Sequence, residues 1–150
     1  MDLIDHKIIG LLVEDSRRSL AGIGEAVGLS PSAVNERIRR LQASGAIRRF
    51  TVESDPAALG YHVLAFVFVA LREDADEADF RRFAAAHTVV LECHHVTGGW
   101  SYLLKVRLPA LGDLEDFLQL LKTRQYIARS ETMLALSSAV ERGCSGGVAP

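Results

Sequence analysis

The chain has 150 residues and a net charge of −2 at pH 7, and 49% of its residues are hydrophobic while 24% are charged. This composition is typical of a globular protein and argues against disorder. No apolar run approaches the roughly 20 residues that a membrane helix needs, and the first residues lack the pattern of a signal peptide. We therefore expect a cytoplasmic protein with no membrane contact.

The distribution of charge along the chain is more informative than its sum. Residues 37–49 contain five arginines and no acidic residue, whereas residues 73–79 contain five acidic residues and no basic one. A charge run usually marks a solvated face. The arginines therefore indicate a nucleic-acid partner only if they fall on one surface.

Residues 3–44 carry apolar side chains at helical spacing, which predicts three short helices. The first helix has one apolar stripe, formed by Ile4, Ile8, Leu11 and Leu12. Ser19 is a good N-cap for a second helix, and Gly28 is typical of the left-handed residue that ends one. The inner face of this second helix would consist of Leu20, Ile23 and Val27.

A third helix follows, with Ser30 as its N-cap and Pro31 at its first position, where a missing N–H costs nothing. The helical period places an apolar stripe inward, at Val34, Ile38 and Leu41. The side chains that project outward are Ser32, Asn35, Glu36, Arg39 and Arg40. Arg and Asn make bidentate contacts with guanine and adenine in the major groove. Glu36 could accept a hydrogen bond from cytosine or hold Arg40 at i+4.

The spacing of Gly24, Gly28 and Val34 predicts that the second and third helices form a helix-turn-helix. This motif needs a small residue where its helices cross, a glycine in the turn and a branched apolar residue facing inward. The third helix would then read bases in double-stranded DNA, and Arg37 at its flank is placed for a phosphate. The alternative is a solvated helix face whose arginines serve solubility alone.

From residue 47 onward the period changes to that of strands and longer helices. The segment 61–71 is a strand that is apolar on both faces, which means that both faces must be covered. The later elements are a helix at 76–87, strands at 89–96 and 101–108, a helix capped by Asp113, and a strand at 130–137. The order β-α-β-β-α-β is that of an α+β, ferredoxin-like domain.

Helices in this arrangement cover one sheet face only, so the other face of the first strand needs a partner. A second copy of the chain is the simplest one, and we expect a homodimer formed through the C-terminal sheets. The predicted organisation is a DNA-binding domain at 1–54, a linker at 55–60, an oligomerisation domain at 61–141 and a flexible tail at 142–150.

Both halves of the chain contain short motifs. In the N-terminal half these are Val-Gly-Leu-Ser-Pro at 27–31, Glu-Arg-Ile-Arg-Arg-Leu at 36–41 and Gly-Ala-Ile at 45–47. In the C-terminal half the motifs are the segments 92–98 and 102–106. The N-terminal motifs resemble the leucine-responsive regulator/AsnC (Lrp/AsnC, feast/famine) family, and the C-terminal segments resemble that family's ligand-sensing domain. The resemblance implies a transcriptional regulator with a winged helix-turn-helix and a βαββαβ domain. Such proteins dimerise and typically assemble into octamers. Because a dimer presents two copies of the third helix, we expect pseudo-palindromic operators.

The resemblance also implies a small effector, usually an amino acid, bound between dimers near the loop that joins the second and third strands. Carried over to this chain, the effector-binding residues are Gly98, Gly99, Trp100, Ser101 and Tyr102, with Ser130 and Thr132 on the last strand. The family's loop commonly reads Gly-Asp-aromatic-Asp-Tyr. The two acids of that pattern are suited to binding an effector's ammonium group. In this chain Gly99 and Ser101 stand in their places.

We expect no metal, no cofactor and no catalytic residue. Cys93 and Cys144 form no CxxC pair, and Cys93 and His95 share a strand face but are too few to hold an ion. His94 points to the opposite face from His95. One alternative is a haem-pathway decarboxylase of the same two-domain architecture, which would not need an arginine-rich helix face. Another is an effector-independent architectural DNA-binding or assembly protein.

Overall fold

A computed structural model describes residues 1–140, which divide into two compact units. The first is built on Met1–Glu53, and the second spans Ser54–Ala139. The predicted tail at 142–150 and Cys144 lie outside the described residues. No helix in the described part of the chain is long and apolar enough to cross a membrane.

The first unit consists of three helices, α1 (Leu3–Glu14), α2 (Leu20–Val27) and α3 (Pro31–Ala43). Its core is formed by Ile8, Leu12, Ile23, Val34, Ile38 and Leu41. The predicted inward stripe of α3 is therefore confirmed. The inner face of α2 differs, because Leu20 at its first position is 37% exposed and Gly24 is buried instead.

Side-chain caps begin α2 and α3 as predicted. The Ser19 Oγ accepts a hydrogen bond from the Gly22 N–H at 3.0 Å, and the Ser30 Oγ accepts one from the Ala33 N–H at 3.3 Å. Each cap satisfies one of the N–H groups that a helix start leaves without a partner. Gly28 ends α2 with a φ of 72°, a left-handed conformation that glycine adopts without strain.

The turn between α2 and α3 packs directly on Gly24. The Leu29 N–H donates to the Gly24 carbonyl at 2.9 Å. A Cβ at residue 24 would collide with the carbonyl oxygen of Leu29, which is a backbone atom and cannot move without opening the turn. The small residue predicted at this crossing is therefore required by the geometry.

Residues 44–62 follow α3 as turns, bends and irregular backbone, without a strand. The described residues of this unit therefore contain no β-strand pair that could form a wing after α3.

The second unit contains β1 (Val63–Leu71), α4 (Glu77–Ala86), β2 (Val90–His95), β3 (Tyr102–Leu108), α5 (Leu111–Thr123) and β4 (Ile127–Leu134). The strands form one antiparallel sheet in the order β2-β3-β1-β4. This confirms the βαββαβ arrangement. Both helices pack on one sheet face, and the core between them includes Val67, Val69, Phe80, Leu104, Val106, Phe117 and Leu121.

The starts of α5 and β4 differ most from the predicted ones, and β4 also ends at Leu134 instead of residue 137, whereas the other boundaries shift by only one or two residues. Asp113 is not the N-cap of α5, because the helix begins at Leu111; its carboxylate instead lies in the first turn and accepts from the N–H of the N-cap residue Ala110 at 2.9 Å. The last strand begins at Ile127 instead of residue 130, since Ile127 is buried and pairs with Leu71.

Residues of β1 that alternate with the core side chains point to the opposite face of the sheet, which we call the open face. Phe66 on this face pairs with Lys105 and Met133, and Phe68 pairs with Leu103 and Glu131. Both phenylalanines are half-buried, and Met133 is 48% exposed. The open face therefore presents apolar side chains between a basic and an acidic one.

The turn geometry predicts opposite effects for two glycine substitutions in the first unit. Gly24→Ala should lower the free energy of unfolding by about 1–3 kcal/mol, because its Cβ meets backbone. Gly10→Ala in α1 is the matched control, since a Cβ there meets nothing within 4 Å. It should raise stability by about 0.5–1 kcal/mol. Denaturant unfolding followed by circular dichroism measures both, and an unchanged Gly24→Ala variant would contradict the packing described.

Candidate nucleic-acid interface and sensing loop

The outward face of α3 lies at the surface of the first unit. Ser32, Glu36, Arg39 and Arg40 are exposed and Asn35 is half-buried. The buried stripe at Val34, Ile38 and Leu41 holds the other side of the same helix in the core. The helix thus presents amide and guanidinium groups on a surface whose rotation is set by packing.

The guanidinium groups of this face have no acidic partner within the unit. Among the described residues no ion pair engages Arg39 or Arg40, and Glu36 forms none with Arg40. Arg48 and Arg49, which follow α3, are exposed as well. Four of the five arginines in the basic run are therefore available to an anion.

Arg37, for which a phosphate contact was predicted, is the exception, because it is already engaged within the unit. Its Nη1 donates to the Asp2 carboxylate at 2.8 Å and to the Asp5 carboxylate at 2.7 Å. Its side chain is only 20% exposed. The guanidinium therefore serves contacts between α3 and the start of α1, because its charge is already met by two carboxylates.

The same contacts shift the ionisation of all three groups. The Asp2 backbone N–H, followed by the Arg37 guanidinium, lowers the pKa of the Asp5 carboxyl. The Asp5 backbone N–H and Arg37 lower the pKa of Asp2, and both carboxylates raise the pKa of Arg37. The cluster is therefore fully ionised at neutral pH. Sequence reasoning missed both acids, although Asp-x-x-Asp at a helix start resembles a capping box.

The loop between β2 and β3 contains most of the predicted effector residues. Gly98 has a φ of 98°, a conformation that favours glycine. The Trp100 ring lies 5.9 Å from that of Phe68, and the Arg129 guanidinium stacks 4.1 Å from the Trp100 centroid. Arg129 also donates to the Gly99 carbonyl. Arg129 was not among the predicted site residues, because nothing in the sequence relates it to this loop.

Two hydroxyl groups of the predicted site are used within the fold. The Ser101 Oγ accepts from the Leu71 N–H at 2.9 Å. Tyr102 is buried, and its hydroxyl donates to Glu77 and accepts from Arg81 on α4. Burial, together with the Glu77 contact, raises the pKa of Tyr102. Both side chains thus stabilise the unit before any ligand binds.

Ser130 and Thr132 are not brought together with Trp100. They pair with Val69 and Val67, whose side chains lie in the core on the helix-covered face. Directly opposed residues of an antiparallel pair share a face. The two hydroxyl residues therefore lie on the opposite side of the sheet from Trp100, which contacts Phe68.

An open depression of about 640 Å³ lies beside the loop. Gly98, Trp100 and Ser101 line it together with Glu73 and Glu77, which come from the β1–α4 connection and the first turn of α4. The carboxylates that the loop itself lacks are thus present at its border.

The histidines of β2 follow the predicted alternation. His94 lies 3.0 Å from Glu92, two residues earlier on the strand, while the His95 ring stacks on Tyr102. Cys93 is half-buried, and burial raises the pKa of its thiol. Within residues 1–140, no cluster of three or more His, Cys, Asp or Glu side chains could hold a metal ion.

Comparison with known sequences places both units in one group of proteins. The AsnC-type helix-turn-helix domain matches residues 1–42, and the Lrp/AsnC ligand binding domain matches residues 64–143. The HTH-type transcriptional regulator FL11 of Pyrococcus horikoshii is 33% identical over 141 residues, which cover 94% of this chain and 93% of that protein. The leucine-responsive regulatory protein of Salmonella typhimurium is 37% identical over 124 residues, covering 81% and 73%.

Solved structures give the same result for the fold. Bacillus subtilis LrpC superimposes with a TM-score of 0.83 at 30% identity, covering 95% of this chain and 99% of that one. A transcriptional regulator from Neisseria meningitidis in complex with L-Met gives 0.88 at 25% identity, covering 97% and 95%. These relatives are transcriptional regulators, and none of them supports the alternative of a decarboxylase.

Proposed function

The chain belongs to the Lrp/AsnC family of HTH-type transcriptional regulators, and we propose that α3 is the helix through which it reads DNA sequence. The observation that carries this proposal is the outward face of Asn35, Arg39 and Arg40, which lies opposite a buried apolar stripe. These side chains make bidentate contacts with adenine and guanine. Ser32, beside the Ser30 and Pro31 start of the helix, and Glu36 complete the surface that faces the bases.

Phosphate binding in this proposal belongs to arginines other than Arg37. Arg48 and Arg49 are exposed, lie in the segment after the recognition helix and form no ion pair among the described residues. Each phosphate contact contributes to affinity without regard to sequence, through release of counterions.

The proposed assembly is a homodimer formed through the open face of the sheet. Phe66, Phe68, Leu103 and Met133 supply its apolar part, and a second copy supplies a surface of identical shape. A dimer presents two copies of α3 to successive major grooves, so the operator should be pseudo-palindromic, with half-sites about one helical turn or a multiple apart. Assembly of dimers into an octamer would add interfaces elsewhere.

We place the effector site at the depression beside the β2–β3 loop. Trp100 offers an aromatic surface there, and Gly98 allows close approach to the backbone. Glu77 is engaged by Tyr102 and Arg81, so Glu73 is the carboxylate that would meet an effector's ammonium group. The proposed effector is therefore a small amine such as an amino acid. Gly98 and Trp100 belong to the loop that the family resemblance implies, whereas Glu73 lies outside it.

The base-reading role of α3 predicts that Arg39→Ala lowers specific affinity by about 1–3 kcal/mol and relaxes sequence preference. Arg48→Ala should instead weaken all DNA alike and reduce the slope of log K against log salt concentration by about 0.9. Lys122→Ala, on the exposed last turn of α5, is the control and should bind as the parent does. Fluorescence anisotropy on a duplex selected from a random library, and on a mixed-sequence duplex, separates these outcomes. Unchanged sequence preference in Arg39→Ala would refute the role given to α3.

The dimer proposal predicts that a charge on the open face separates the protomers. Phe66→Asp and the more exposed Met133→Asp should each halve the molar mass, or reduce it further if larger assemblies are lost. Leu111→Asp places the same charge on a 59% exposed leucine of α5 and should keep the parent mass. Light scattering after gel filtration measures this. The parent mass in both open-face variants would contradict the interface.

The effector proposal predicts that at least one of the twenty amino acids raises the melting temperature of the parent by binding the folded state. Trp100→Ala and Glu73→Gln should each reduce that rise, because they remove the aromatic surface and the carboxylate. Glu115→Gln on the exposed side of α5 is the matched control. Absence of any rise in the parent, or an equal rise in all variants, would count against this site.

A further inference from the structure

A reciprocal capping box at the start of α1 prepares the site that Arg37 occupies. The Asp5 N–H donates to the Asp2 Oδ1 at 2.8 Å, and the Asp2 N–H donates to the Asp5 Oδ2 at 3.0 Å. These two bonds use one oxygen of each carboxylate and fix both carboxyl planes. The remaining oxygens, Asp2 Oδ2 and Asp5 Oδ1, both accept from the single Nη1 of Arg37.

This arrangement is a preformed receptor for one cationic nitrogen, and it joins segments 32 and 35 residues apart in sequence. Asp5 is the one buried charged residue among the described part of the chain, at 8% exposure. A buried carboxylate is costly without a partner, so the pair holds Arg37 in one place. The charge of the cluster sums to −1, which would repel a phosphate.

Arg37 lies in the middle of α3, next to the buried Ile38 and two residues before the exposed Arg39. Packing of an apolar stripe limits the rotation of a helix about its axis, but hydrophobic contacts are not directional. Charge-assisted hydrogen bonds are directional and fix geometry more closely. The hydrogen bonds from Arg37 to Asp2 and Asp5 therefore restrict the rotation of α3, and with it the direction in which the Asn35 and Arg39 side chains point.

We propose that Arg37, held by Asp2 and Asp5, is a positioning residue that sets the sequence specificity of α3 without contacting DNA. This inference rests on the base-reading role proposed for α3. It assigns a function to the first residues of the chain, which lie outside the helix-turn-helix itself.

The test compares Arg37→Gln, Asp2→Asn and Asp5→Asn by the ratio of affinities for the selected duplex and a mixed-sequence duplex. Arg37→Gln removes a positive charge, whereas the Asp variants remove a negative one. Long-range electrostatics would move overall affinity in opposite directions for the two kinds of change. A positioning role instead predicts that the specificity ratio falls in all three variants. The expected fall is about 5- to 150-fold, as for loss of a bidentate base contact.

The salt dependence gives a second readout, which separates positioning from a phosphate contact. Loss of a phosphate contact should reduce the slope of log K against log salt by about 0.9, and loss of positioning should leave it unchanged. Arg37→Lys can still place one nitrogen between the two carboxylates and should keep more of the specificity than Arg37→Gln. Arg82→Gln, which breaks an Arg–Asp79 pair of 3.0 Å in the other unit, is the matched control.

All ratios are measured at temperatures where circular dichroism shows the variants folded, and Asp2→Asn carries the comparison if Arg37→Gln does not fold. A parent-like ratio in Asp2→Asn and Asp5→Asn overturns the inference, as does a reduced salt slope with a parent-like ratio in Arg37→Gln. Arg39→Ala separates this failure from that of the proposed function. If Arg39→Ala relaxes specificity and the Asp2, Asp5 and Arg37 variants do not, only the positioning role is wrong.

Discussion

The first unit depends on one constraint, which is that a single helix, α3, contributes half of the buried core residues and also carries the proposed DNA-reading surface. α3 buries Val34, Ile38 and Leu41, so the 3.6-residue period determines where Asn35 and Arg39 can point. The depth at which α3 can sit is limited in turn by Gly24, because the turn into α3 contacts that residue through backbone atoms. A rotation or shift of α3 in the core would therefore redirect the side chains that we propose to face DNA.

Alternation along β1 imposes a similar division on the second unit. Val67 and Val69 point to the helices, and Phe66 and Phe68 point to the open face. Register then extends the division to β4, where it sends Ser130 and Thr132 toward the helices and leaves Arg129 to stack on Trp100. A sensing site on one side of the sheet can therefore draw only on alternate residues of each strand, together with the loops.

Local signals made much of this structure predictable from the sequence. Ser19, Gly28, Ser30 and Pro31 mark helix ends by their own conformational preferences, and the apolar period gave the stripe of α3. Contacts between distant segments were not predictable in the same way. The partners of Arg37 lie more than thirty residues away, so the arginine looked like a free phosphate ligand. The start of β4 was misplaced because a left-handed Gln125, with a φ of 57°, turns the chain directly into the buried Tyr126 and Ile127.

The charge distribution explains how an acidic chain can bind DNA. Residues 1–53 contain eight basic and seven acidic side chains, and residues 54–139 contain eight basic and eleven acidic ones. Most acids of the 73–79 run are held by arginines of the same unit, as in the pairs of Arg72 with Asp74 and of Arg82 with Asp79. In the first unit Asp2 and Asp5 converge on Arg37 alone. Because Asp2 and Asp5 both pair with Arg37, the charges of Arg39 and Arg40 stay uncompensated at the surface. The positive field that would attract phosphates is therefore local to α3 and is not apparent from the net charge of the chain.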